Sequence, residues 1–310
     1  MKLRHSLLLL LTATIWGFSL VAQRVGMDHL GPFAFLCARG ILGGSVLLVP
    51  ALLLGRSSAR AATPHQRRAE RKQLLCGGVL CGALRCAACG LQQIGLLYTT
   101  VGKGGFLTAC YILIVPLLGL LLGRKCGRQV WGSVALALVG LYFLCLSGEL
   151  SLGVGDALCF AGAFFFAAHI IATDRFSPHV SSLALSCLQF YVCAAFSAVG
   201  MLLFELPKAP LNVVGFAAPS WGALLAAWIP LRYAGVLTSG VADTLQIVGQ
   251  RGMNPTVASL ILSLESVVSV IAGWLLLGQT LTARELLGCA LMFIAILLAQ
   301  LPGRQAAADA

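Results

Sequence analysis

Apolar residues run along the chain in long blocks separated by short polar breaks, and within a block they do not alternate with a period of two. About 20 residues of helix cross roughly 30 Å of hydrocarbon, so each block predicts one spanning helix. Continuous blocks of this length argue against barrel strands. Ten are predicted: Leu7–Val25, Phe33–Leu54, Leu74–Tyr98, Gly104–Leu122, Val130–Leu146, Gly155–Thr173, Ser182–Leu203, Leu231–Gln250, Pro255–Leu277 and Glu285–Leu301. The longest polar stretch, Gly55 to Gln73, reads as a loop too short for a core of its own.

Composition sharpens this picture. Of 310 residues, 59% are apolar and 10% charged, with a mean hydropathy of +0.94. Soluble domains carry roughly 25% charged residues. Too few polar side chains remain to coat a water-soluble globule, so lipid must cover most of the surface. The net charge of +11 raises nucleic-acid binding, but the basic residues sit in short loops and not on a face interleaved with stacking aromatics, which excludes it.

Loop charge sets the orientation. On the side of the termini lie 14 cations, among them Lys2, Arg4, Arg56, Arg60, Arg67, Arg68, Arg71, Lys72, Arg124, Lys125, Arg128, Arg175, Arg251 and Arg304, against four on the other side, Arg24, Lys103, Lys208 and Arg284. Both termini are therefore expected in the cytoplasm, with the first block an uncleaved helix and not a removed signal peptide.

The two portions of the chain also resemble each other. Leu120-Leu121-Leu122-Gly123 recurs as Leu275-Leu276-Leu277-Gly278, Arg128 to Gly132 matches Arg284 to Gly288, and Val21 to Arg24 matches Ala172 to Arg175, a period of about 155. Boundaries of 1–146 and 147–303, with a cytoplasmic tail at 304–310, follow. Each portion holds five predicted helices. Because five is odd, the second copy enters the membrane from the opposite side, an inverted-topology repeat. Two inverted halves can expose a shared cavity to each side in turn, which is alternating access.

Several stretches carry a family resemblance: Trp16-Gly17-Phe18-Ser19, Ala38-Arg39, Thr99 to Phe106, Val115-Pro116-Leu117-Leu118-Gly119, Gln246 to Gln250, Asn254-Pro255-Thr256, Leu262-Ser263-Leu264-Glu265 and Gly273 to Gly278. In order and spacing they resemble the EamA-type transporters of the drug/metabolite transporter superfamily. The resemblance implies a bacterial inner-membrane carrier of ten helices in two five-helix repeats, exporting amino acids or other small metabolites. The sequence departs from the family pattern at three places. Ser266 follows Glu265 where Pro is usual, so a proline kink is not expected. Gln279 stands where Glu is common, and Asp243 where an aromatic is expected.

Ionisable groups inside spans cost about 2.5 to 3.5 kcal/mol each, so they are expected to face a cavity or a partner. Arg39, Arg85, His169, Asp243 and Glu265 qualify, while Arg232 falls near the outer mouth if Pro230 begins the eighth helix. The arginines read either as cavity groups or as structural ion pairs. Glu265 reads as a proton-coupling or recognition residue, or else as half of a salt bridge. His169 reads as a proton relay or a packing residue. Polar residues recur at helical spacing on four helices: Thr12, Trp16, Ser19 and Gln23; Gly78, Cys81, Arg85, Cys89 and Gln92; Gly162, Phe166, His169 and Thr173; Ser239, Asp243, Gln246 and Gln250. These faces are expected to converge on one cavity lined by Trp16, Arg39, Arg85, Gln92, Tyr111, His169, Asp243, Gln246 and Glu265.

Twelve cysteines evoke a metal or disulfide framework, but eleven fall in predicted spans, where they pack as small apolar residues, and Cys126 lies on the reducing side. No P-loop, zincin motif, nucleophile elbow or dinucleotide turn occurs. The expected function is secondary transport of a small polar or zwitterionic metabolite without a cofactor, the partners being substrate, lipid and a coupling proton. An intramembrane enzyme acting on a lipid-linked substrate, or a non-transporting scaffold, are the competing readings.

Overall fold

The computed structural model describes residues 2–61, 63–99, 101–123, 127–145, 153–206, 219–277 and 282–300. The proposed tail at 304–310, together with Thr100, Arg124, Lys125, Cys126, Lys208, Gly278 and Gln279, lies outside the described residues. The described part is all α. In chain order the helices are α1 (Lys2–Met27), α2 (Pro32–Ala61), α3 (Pro64–Tyr98), α4 (Val101–Ala109), α5 (Tyr111–Leu121), α6 (Arg128–Cys145), α7 (Val154–Phe176) and α8 (Ser182–Phe204). Then come α9 (Trp221–Ala226), α10 (Trp228–Arg232), a π-helical segment (Tyr233–Ala242), α11 (Asp243–Gln250), α12 (Pro255–Leu262), α13 (Glu265–Leu277) and α14 (Ala283–Gln300).

Among the described residues, seven helices are long and apolar enough to cross a membrane, from Leu3–Met27 to Pro255–Ala272. Large apolar side chains such as Leu11, Ile41, Val49, Leu53, Val199 and Leu297 point outward, as lipid-facing residues must, and Trp221, Trp228 and Trp274 are exposed aromatics of the kind that sit at membrane interfaces.

Caps written in the sequence set several helix starts. Thr63 and Gln66 form a capping box, Thr63 N–H donating to Gln66 Oε1 at 2.9 Å, with Pro64 at the first helical position. Thr282 and Glu285 repeat the device at α14, Thr282 N–H donating to Glu285 Oε2 at 2.7 Å. Asn254 accepts from Thr256 N–H at 2.9 Å ahead of Pro255. The stretch expected as a loop between residues 55 and 73 is instead helical almost throughout, since α2 runs on to Ala61 and α3 starts at Pro64. The capping box starts α3 in this stretch, and helix formers such as Ala69, Glu70, Arg71, Lys72 and Gln73 carry it onward.

Two expected single helices are broken. The fourth block divides at Cys110 and the ninth at Ser263–Leu264. The second break needs no proline: the hydroxyls of Ser259 and Ser263 donate to the carbonyls of Thr256 and Leu260 at 2.9 and 2.7 Å, three residues back, and compete with the α ladder. Leu264 and Ser266 N–H then bond three residues back, to Ile261 and Ser263, a tightened turn. The eighth block begins earlier than expected, at Trp221, and Pro230 lies inside α10 instead of opening the span.

Residues 2–145 and 153–300 pack as two interlocked halves. The broadest contacts join α3 to α7, α2 to α8 and α6 to α14, all between halves. The contact of α3 with α7 is paralleled by that of α1 with the π segment and α11, and the contact of α3 with α8 by that of α2 with the π segment. The largest buried apolar cluster likewise mixes Leu9, Ile112 and Leu141 with Ile170, Leu260 and Met292. Close crossings are made by glycine. A Cβ on Gly155 would lie 2.7 Å from the Gly95 carbonyl, and one on Gly140 2.9 Å from the Gly288 carbonyl.

Candidate functional site

A cavity opens at the level of the two helix breaks. It is narrow and partly open, with a volume of about 40 Å³. Of the nine residues expected from the sequence, eight line it: Trp16, Arg39, Arg85, Gln92, Tyr111, His169, Gln246 and Glu265. The ninth, Asp243, stands behind Arg85, whose Nη2 donates to Asp243 Oδ2 at 2.6 Å. That ion pair is buried, with side-chain exposures of 4% and 0%, and the guanidinium also covers the Phe190 ring at 5.1 Å.

The periodic faces reach the cavity only at one depth. Trp16, Ser19 and Gln23 of α1 line it, while Thr12 ties α1 to the π segment through the Ala242 carbonyl at 3.1 Å. On α3, Arg85, Cys89 and Gln92 line it, but Gly78 meets Leu188 and Cys81 meets Thr173. On α7, Phe166 and His169 reach it and Gly162 packs on the Ala88 carbonyl. In the eighth block only Gln246 does so from the expected stripe; Ser239 packs near Gly43, and Thr238, outside the stripe, takes its place. The π segment explains the substitution, because hydrogen bonds spanning five residues instead of four turn the following side chains out of α register.

Around the cavity the polar groups form short relays. Arg39 Nη1 donates to Gln23 Oε1 at 3.0 Å and its Nη2 to Cys89 Sγ at 3.7 Å; Gln93 donates to the same Gln23 oxygen at 3.2 Å. Gln92 donates to Thr108 at 3.3 Å. His169 Nε2 and Gln189 Oε1 are 3.0 Å apart. The Tyr111 hydroxyl donates to Glu265 Oε1 at 3.4 Å, joining the first residue of α5 to the first residue of α13. Gln189, Phe190 and Thr238 were missed from the sequence, since each sits in an apolar run that gives no functional signal. Buried atoms of three lining residues, Trp16 Nε1, Thr238 Oγ1 and Gln246 Oε1, lack a partner among the described residues. The Trp16 indole turns toward Asp243, whose Oδ1 is likewise unpaired, without closing a full hydrogen bond. Unpaired buried polar atoms of this kind are costly unless something else meets them.

Among the described residues, no three His, Cys, Asp or Glu side chains gather where they could hold a metal ion. Arg232 is exposed at the end of α10 and stacks on Trp228 at 5.8 Å, apart from the cavity.

The profile of the EamA-like transporter family matches the chain twice, over residues 3–146 and 153–301. The chain belongs to the EamA-like transporter family. It is therefore a multi-pass membrane protein of a transporter family, which points to transport and away from catalysis. An uncharacterized transporter of Archaeoglobus fulgidus is 27% identical over 302 residues, covering 97% of this chain and 87% of its own. A solved crystal structure shares the fold with a TM-score of 0.72 at 18% identity, over 97% of this chain and 98% of that one.

Proposed function

We propose that this EamA-like protein is a secondary carrier of the bacterial cytoplasmic membrane that exports an amino acid or similar small polar metabolite by alternating access. In this reading ten spans form two inverted five-helix repeats, at 1–146 and 147–303, with both termini in the cytoplasm. The observation that carries it is the cavity itself: each half sends one broken helix to it, and the breaks meet through Tyr111 and Glu265. Discontinuous helices at mid-membrane are where carriers hold cargo, because freed backbone and polar side chains are tolerable there only if they line a water-filled space.

Charge supports the orientation. Exposed Arg4, Arg67, Arg68, Arg71, Lys72, Arg128 and Arg175 would share the cytoplasmic side under this topology, and Arg24 and Arg284 the other. The parallels among the helix contacts support the repeat. Glu265 is the proposed proton-exchanging group, since it is the cavity carboxyl held by a neutral hydroxyl and not by an arginine.

Counterflow in proteoliposomes over an amino-acid panel tests the reading. Saturable exchange of at least one solute is the expected result, and Glu265→Gln should remove its dependence on a pH gradient while exchange at equal pH persists. No saturable flux would leave a scaffold. Proton-driven flux untouched by the substitution would take Glu265 out of the mechanism.

A further inference from the structure

Two guanidinium groups share this cavity, and they are held differently. Arg85 is neutralised by Asp243 at 2.6 Å. Arg39 is 3% exposed, yet its partners are the neutral Gln23 and Cys89, and among the described residues no carboxylate lies within 4.0 Å of it. Glu265 on the far wall is engaged by Tyr111 and forms no ion pair with either arginine. Asp243, already paired with Arg85, is the acid that senses Arg39 through space, so one carboxylate faces two buried guanidinium groups, and a buried charge short of counter-charge costs several kcal/mol. A guanidinium carries five N–H donors in a planar fork, of which two contacts here use two nitrogens with weak or neutral acceptors.

The second half shows what a purely structural solution looks like. Offset by 150, as Phe33 to Phe35 is from Leu183 to Leu185, the counterpart of Arg39 is Gln189, an uncharged amide whose Oε1 meets His169 on the neighbouring helix while its Nε2 has no partner among the described residues. Linking the first two rods of a half thus needs only a neutral pair. In the first half the same position holds a cation turned to the cavity, which is also lined by Trp16 and by the Thr238 hydroxyl, the latter without a partner among the described residues.

We propose that Arg39 is the anion-recognising group of the cavity, so that the cargo carries a carboxylate or an equally compact planar anion, while Arg85 serves as a structural ion pair. This rests on the carrier reading above. The free space, enough for about three waters, matches the carboxylate end of a small molecule and not a bulky anion.

Acetate and acetamide, equal in shape and different in charge, are the probes. The full chain is purified in lipid nanodiscs and its melting temperature followed against each, with ionic strength held by sodium chloride, whose anion has no carboxylate. Acetate should raise the melting temperature saturably and acetamide should not. Arg39→Gln should weaken the acetate response about tenfold or more, the loss of a charge-assisted hydrogen bond. Arg232→Gln, at the exposed end of α10, should leave it unchanged. Should Arg39→Gln fail to fold, Arg39→Lys, which keeps the charge without the planar fork, should weaken the acetate response while leaving acetamide without effect. Equal responses to the two probes, or an acetate response that survives Arg39→Gln or is unchanged in Arg39→Lys, would overturn the assignment. Counterflow separates the two claims. Exchange of amines lacking a carboxylate, unaffected by Arg39→Gln, sinks the Arg39 assignment and leaves the carrier; acetate binding through Arg39 without any flux does the reverse.

Discussion

Both halves bring a broken helix to the cavity, but their ionisable groups there differ in kind. The first half contributes Arg39, Arg85 and the Tyr111 hydroxyl, whereas the second contributes His169, Asp243 and Glu265. Cations come from one copy and acids from the other. The links of Arg85 with Asp243 and of Tyr111 with Glu265 therefore run between halves, whereas those of Arg39 with Gln23 and of His169 with Gln189 stay within one half. Similar scaffolds can thus diverge where they face each other, because complementarity across the interface constrains unlike residues at related places. It follows that any rocking of one half on the other must stretch or re-pair these links, in a part of the molecule where an unpaired charge is expensive.

The sharpest way to break that complementarity is to remove one sign. Asp243→Asn leaves Arg85 buried at 4% exposure with no carboxylate, and should destabilise the protein by about 3 to 5 kcal/mol. Replacing both members, Arg85→Met with Asp243→Asn, should recover most of that loss, and a double-mutant cycle on unfolding in nanodiscs measures the coupling. Full additivity would mean that the pair is not a unit.

A smaller effect separates the helix starts of α2 and α8, which correspond in the two halves. The α2 start is capped by a distant residue: Glu205 accepts Phe33 N–H at 2.6 Å and Ala34 N–H at 2.8 Å. Burial raises the Glu205 carboxyl above its ordinary value, although those two backbone donors oppose the rise. At α8 the cap residue Ser181 makes no such side-chain bond. Glu205→Ala should cost about 1 to 2 kcal/mol and Ser181→Ala almost nothing, both read from thermal unfolding. Equal costs would erase the distinction. Smallest of all, Tyr111→Phe removes one 3.4 Å hydrogen bond and should change stability by no more than about 1 kcal/mol, the same measurement deciding.

Apolar helices and most of the residues that line the cavity were legible because membrane physics writes them in large letters. A charged group in an apolar block is costly enough to be conspicuous, which is how Arg39, Arg85, Asp243 and Glu265 stood out. The helix breaks were less legible. Pro116 marks α5 only after the break at Cys110, and the serines that open the ninth block act through hydroxyls bonding to their own helix, a choice that composition does not announce. The polar stretch after residue 55 misled for the opposite reason, since polarity identifies water and not loss of helix. Gln189 and Phe190 could be recognised only from their partners, which come from elsewhere in the chain.

The π segment at Tyr233–Ala242 also fixes how this span can be edited. Each residue of regular helix advances the side chains by about 100 degrees, so the surplus held in the segment sets the angle at which everything after it points. Shortening it by one residue would swing Asp243 and Gln246 together by roughly that angle, carrying the acid away from Arg85 and the amide from the cavity. Length here is a rotational setting, which makes this stretch far less forgiving of a deletion than of a change of side chain.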